Sequence, residues 1–124
     1  MAEEPSGESK VFAAVAYFFG MLIALVIYLV KKDDSYVRFH AMQAILFDIA
    51  VSIVSVPLIG FAFAAFFVLA ASKSAMAFII LWAAIMVFAL LSIIVKLIFA
   101  FKAFTGSRFR IPLIGKYAEK IAAG

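Results

Sequence analysis

The stretch "SYVRFHAMQAILFDIA" (residues 35–50) carries Arg38, His40, Gln43 and Asp48 straight into a run apolar enough to lie in lipid. A membrane helix normally sheds such residues before it enters the hydrocarbon, because a polar group buried without a partner costs free energy. What these four side chains touch therefore decides how the surrounding helices are arranged.

The composition around them sets the fold class. The 124 residues are 69% hydrophobic and 15% charged, with a mean hydropathy of +1.22. Soluble domains run about 45–50% apolar and about 25% charged. No fold of this size hides so much apolar surface from water. The charges cluster and leave three long apolar runs, each longer than the roughly 18–20 residues that cross a bilayer core. The reading is an all-α, polytopic membrane protein with one domain. The alternating ten-residue segments of a β-barrel are absent.

Other classes fall away. With no cysteine there are no disulfides, thiolate metal sites or thiol nucleophiles, and one histidine excludes a multi-histidine metal cluster. The net charge of +4 and pI near 9.5 raise nucleic acid as a partner. In so apolar a chain, basic residues more often set topology and meet anionic lipid headgroups. No Ser/His/Asp order, phosphate loop or zincin motif appears, so no enzyme, metal or cofactor is expected.

Along the chain, "MAEEPSGESK" (residues 1–10) reads as a disordered polar tail. Residues 11–104 form the transmembrane domain, with spans expected at about 11–30, 41–71 and 75–101. The helical pattern from 36 to 71 is about 54 Å long, too long for one straight crossing. Its first turns are expected at headgroup level, where His40 would titrate near neutral pH. Asp33, Asp34 and Ser35 are candidate N-caps, and Pro57 and Gly60 offer a kink. A four-span variant split at Pro57 makes each half too short. The "SKS" turn (residues 72–74) forces an antiparallel hairpin. Gly106 reads as a helix stop. Residues 105–124 form a basic tail in which Pro112 suits a first helical turn. There Ile114, Tyr117, Ala118 and Ile121 give a short amphipathic helix on the membrane.

Three spans put Lys10 and Lys73 on one side and most other cations on the second. The positive-inside rule then places the N-terminus outside and the C-tail in the cytoplasm, in the inner membrane. Asp48 and Lys96 fall at similar depth on antiparallel neighbours and are expected to pair, because a lone charge in a span costs about 2.5–3.5 kcal/mol. Small residues at four-residue spacing, Ala16, Gly20 and Ala24 in the first run and Ala44 in the second, let helices approach closely. His40 and Gln43 share a helix face and are expected to tie the start of that helix to the C-tail or the first loop.

Two segments carry a family resemblance. "YLVKKDDSYVRFHAMQAILFDI" and "FKAFTGSRFRIPLIGKYAEK" resemble a group of small prokaryotic membrane proteins. That group is related to the twenty-kilodalton subunit of the chloroplast inner-envelope import translocon, the Tic twenty-like group. The resemblance singles out Phe39, His40, Gln43, Ala44, Gly106, Pro112 and Lys116. It implies an integral-membrane protein linked to protein translocation or insertion, although the chloroplast relative has four spans. The expected function is a membrane scaffold or assembly component, as a homo-oligomer or with a membrane-protein partner. The alternative is an oligomeric transporter for a small cation or proton, with Asp48, Lys96 and His40 along its path.

Overall fold

A computed structural model describes residues 4–123. They form five helices: α1 (Gly7–Phe19), α2 (Met21–Val30), α3 (Ser35–Ser72), α4 (Ala75–Phe104) and α5 (Gly115–Ala123). Two of these, α3 and α4, are long and apolar enough to cross a membrane.

The first apolar run departs from expectation. It is not one helix over residues 11–30 but two, broken at Gly20, whose φ of +94° and ψ of 178° suit glycine alone. The chain reverses there. Glu8 pairs with Lys31 at 2.5 Å, the Ser9 hydroxyl donates to the Asp34 carboxylate, and the Lys31 ammonium lies 4.3 Å from the centre of the Phe12 ring. The beginning of α1 thus sits beside the loop that follows α2. The two helices pack against each other as a short antiparallel hairpin. At 13 and 10 residues they reach about 20 and 15 Å, well short of the roughly 30 Å of a bilayer core.

The same contacts correct the expected disordered tail. Residues 1–3 lie outside the described residues. From Gly7 onward the tail is helical, because the Ser6 hydroxyl accepts from the Ser9 N–H at 3.1 Å and Glu8 occupies the first turn. A side-chain cap and an acidic first turn both satisfy the orphan donors of a helix start.

Asp34 caps α3, accepting from the Val37 N–H at 3.1 Å. The helix then runs unbroken for 38 residues through Pro57, so no split occurs there. α4 ends as expected at Gly106, with φ +91°. The Ser107 N–H reaches Lys102 O and the Gly106 N–H reaches Ala103 O, each at 3.2 Å. This paired closure satisfies the last carbonyls of the helix and favours glycine at the left-handed position.

The chain divides into two compact units. One comprises residues 1–50 and 95–124 and holds the packed core: Ala13, Ala16, Tyr17, Ala24, Ala44 and Ala103 are all buried in it. Alanine at these positions lets the helices approach closely. The other comprises residues 51–94, the hairpin of distal α3 and proximal α4, and none of its residues is buried. Phe61, Phe63 and Phe67 are exposed there, a surface suited to hydrocarbon rather than water.

The apolar residues of α5 and of the turn before it divide between the protein and the surface. Ala118 is buried and Ile114 half-buried, whereas Tyr117 and Ile121 are exposed together with Leu113. Pro112 lies in the turn before α5 rather than in its first turn. That turn is closed by the Gly115 N–H donating to Ile111 O at 2.7 Å.

Candidate functional site

The polar residues of α3 lie along one face, at Tyr36, His40 and Gln43, and they hold the chain that follows α4. The Tyr36 hydroxyl donates to Ala103 O at 2.5 Å. His40 Nε2 stands 2.9 Å from Ser107 O. Gln43 spans the next two residues: its Nε2 donates to Phe109 O at 3.2 Å, and its Oε1 accepts from the Ile111 N–H at 3.0 Å. One side-chain amide thereby satisfies a carbonyl and an N–H two residues apart, as a neighbouring strand would.

The second Gln43 donor goes to the Tyr17 hydroxyl at 2.7 Å, and that hydroxyl lies 2.7 Å from His40 Nδ1. The proton positions follow. A carbonyl only accepts, so His40 Nε2 carries hydrogen. Tyr17 receives from Gln43, and among the described residues the acceptor beside its own proton is Nδ1, to which it donates. The imidazole is neutral and both nitrogens are engaged. His40 and Gln43 are fully buried and tie the start of α3 to the segment after α4, as their shared helix face suggested, so the ring is shielded from solvent at the headgroup level. Aromatic rings enclose the cluster: Phe39, Tyr36 and Phe109 lie with centroids 4.5–5.2 Å from the His40 ring.

The second polar pair lies deeper along the same helix. Lys96 Nζ is 3.1 Å from Asp48 Oδ1. Asp48 also borders the break between α1 and α2, since a Cβ on Gly20 would lie 3.9 Å from its Oδ2. A carboxylate beside the start of α2 complements the partial positive charge of unsatisfied N–H groups.

Arg38 points elsewhere. Its Nε donates to Ala122 O at 3.2 Å and its Nη2 to the Tyr28 hydroxyl at 2.8 Å, with the guanidinium 4.4 Å from the Tyr28 ring centre. Arg38 fastens α5 to α2 and is not brought together with Asp48 and Lys96. Phe39 and Ala44 are buried, and Gly106 ends α4. Lys116 is exposed, 5.2 Å from the ring of Tyr117. No group of three or more His, Cys, Asp or Glu that would hold a metal comes together among the described residues.

Three participants were missed in the sequence: Tyr17, Tyr36 and Gly115. Tyr17 had a signal, since it lies too deep for an interfacial aromatic belt. Gly115 had a weaker one in "IGK". A Cβ there would come within 2.5 Å of Arg110 Cβ and 2.9 Å of Gln43 Oε1.

Residues 8–118 match the magnetosome magnetite crystal formation protein family, MamF/MmsF. The chain belongs to this family. Among curated proteins it is 26% identical over 113 residues to a UPF0132 membrane protein of Methanocaldococcus jannaschii, covering 91% of this chain and 87% of that one. A second UPF0132 membrane protein of that organism is 27% identical over 111 residues, covering 86% of this chain and 64% of its own length. One from Archaeoglobus fulgidus is 26% identical over 117 residues, covering 94% and 98%. No solved structure matches the chain. Members of the MamF/MmsF family are thus similar to this chain across the whole polar cluster, and the named relatives are membrane proteins of uncharacterised function.

Proposed function

We propose that this protein is a multi-pass scaffold or assembly component of a cytoplasmic membrane, without enzymatic activity. In this reading α3 and α4 cross the bilayer and the α1–α2 hairpin enters and leaves from one side. The observation that carries it is the use of the buried polar groups: Tyr17, His40, Gln43 and Tyr36 are engaged in holding helices and main chain together. Meanwhile the α3–α4 hairpin over residues 51–94 leaves its apolar surface uncovered. Such a molecule offers fixed apolar faces to a second copy or to another membrane protein. The family's name ties related proteins to the formation of magnetosome magnetite crystals, which is compatible with this reading. The resemblance to an import-translocon subunit points to translocation or insertion machinery.

The reading revises the expected topology. Because the start of α1 meets the loop after α2, both tails lie on one side. The positive-inside rule makes that side cytoplasmic, with Lys73 as the outward cation and Lys96 within a span. The cysteine-free chain makes the test direct. Glu4→Cys and Lys120→Cys should react with an impermeant reagent only after lysis, and Ser72→Cys in intact cells. Labelling of Glu4→Cys in intact cells restores the three-span arrangement.

The competing reading is a cation or proton path through Asp48 and Lys96, favoured by their ion pair beside a broken helix. Mild-detergent extraction from native membranes should yield a stoichiometric companion or a self-oligomer, and proteoliposomes should be tight. A lone monomer with cation flux abolished in folded Asp48→Asn would replace the scaffold with a transporter.

A further inference from the structure

A cavity of about 490 Å³ opens between the loop before α3, the first turns of α3, the segment after α4 and the end of α5. Lys32, Arg38 and Arg108 line it, with Asp33 and Glu119 as its acidic residues. Glu119 is already engaged by Arg110 at 2.7 Å. Lys32 and Asp33 offset one another in formal charge. The two guanidinium groups are different. Arg38 is held by Ala122 O and the Tyr28 hydroxyl. Arg108 donates to Ser35 Oγ at 3.2 Å and stacks 5.2 Å from the Tyr36 ring centre. Among the described residues, the ion pairs are Lys31–Glu8, Lys96–Asp48 and Arg110–Glu119, and neither of these arginines takes part. Both are fixed by neutral partners and both line this cavity, Arg108 also bordering a second one lined by Glu4, Asp33 and Asp34.

We propose that this cavity binds the phosphate of an anionic phospholipid headgroup, with Arg38 and Arg108 as the recognising groups. Guanidinium forks match phosphate oxygens in pairs, and positions fixed in advance lose little freedom on binding. A lipid source is favoured over a soluble anion by what borders the site. Phe39, Ala122 and Ala123 form its apolar wall. Tyr28, which carries Arg38, is followed by exposed Leu29 and Val30 at the end of α2, where an acyl chain would lie. The inference rests on the membrane reading above, and alkaline extraction of native membranes tests that reading separately.

The test is lipid binding by native mass spectrometry on the full chain in neutral detergent. Phosphatidylglycerol should bind one saturable site, about tenfold tighter than phosphatidylcholine. Arg108→Gln should weaken that binding about fivefold, as expected for one headgroup-facing cation, with the melting temperature unchanged. Lys32→Gln should weaken it less, and Lys73→Gln, in the α3–α4 turn, not at all. Arg38→Gln also releases α5, so Arg38→Lys is the informative variant there: it keeps the charge and loses the fork. Equal binding of the two lipids, or Arg108→Gln binding like the parent chain, overturns the proposal. One-for-one displacement of phosphatidylglycerol by millimolar inorganic phosphate overturns the lipid assignment and makes this a soluble-anion site.

Discussion

The Tyr17 hydroxyl stands 2.7 Å from His40 Nδ1, and the same oxygen receives a hydrogen bond from Gln43 at 2.7 Å. A hydroxyl on the first helix thus completes two polar side chains of the third, and through them fixes the chain after the fourth. Removing it leaves a ring nitrogen and an amide donor buried without partners. Tyr17→Phe should therefore destabilise the protein by about 1–3 kcal/mol. Thermal unfolding in detergent reads this, and an unchanged midpoint would mean that the cluster contributes nothing to stability.

Gln43 carries more of the assembly than Tyr17, because its amide also holds Phe109 O and the Ile111 N–H. Gln43→Ala should loosen residues 107–123 before the rest of the protein unfolds. Limited proteolysis at Arg108 or Arg110 should speed up several-fold, and amide exchange at Ile111 should rise. Cleavage at the parent rate would show that α5 is held by its other contacts alone.

Gly115 has no room for a methyl group. A Cβ there meets both the Cα and Cβ of Arg110 within 3 Å, and neither belongs to a flexible side-chain end. Gly115→Ala should displace α5 and mimic Gln43→Ala in proteolysis. Gly60→Ala, at a position with nothing within 4 Å, should leave stability unchanged or slightly raised, since alanine favours the helix.

Asp48 and Lys96 should be coupled. Asp48→Asn leaves an ammonium facing a neutral partner, which lowers the melting temperature. The double variant Asp48→Asn/Lys96→Met should recover part of that loss, because it removes the stranded charge. Additive losses would show that the 3.1 Å pair carries no interaction energy. Gly20→Ala, at φ +94°, should cost about 1–3 kcal/mol by backbone strain alone.

The helical class and the two long spans were legible, because 18-residue apolar windows leave few other solutions. The Gly106 stop was equally plain, as it rests on local backbone chemistry. The hairpin of α1 and α2 was not. Residues 11–30 have the length and hydropathy of a span, and only the φ at Gly20 separates one helix from two. That conformation is set by partners distant in sequence: Asp34 for Ser9, Lys31 for Glu8, and His40 and Gln43 for Tyr17. Position along α3 suggested that His40 ties the helix start to the C-tail or the first loop, but not how deeply its ring is covered. The ring is buried because Phe109 and Ser107 fold back over it, and no local pattern announces that return. In the site, Arg38, His40, Gln43 and Asp48 were visible as polar residues out of place. The pairing of Asp48 with Lys96 and the tie made by His40 and Gln43 were expected from their positions, whereas the anchoring of Arg38 on Tyr28 and the end of α5 needed the geometry.

The Gln43 grip falls on a carbonyl and an N–H, atoms that every residue type except proline supplies. Arg108 and Arg110 flank Phe109 but contribute no side-chain atom to that hold. Substitution of either arginine therefore leaves the amide grip in place, although it removes the Arg108–Ser35 hydrogen bond or the Arg110–Glu119 pair. A protein built this way retunes the charge it shows at the bilayer edge by single substitutions at 108 and 110, while the buckle beneath stays shut.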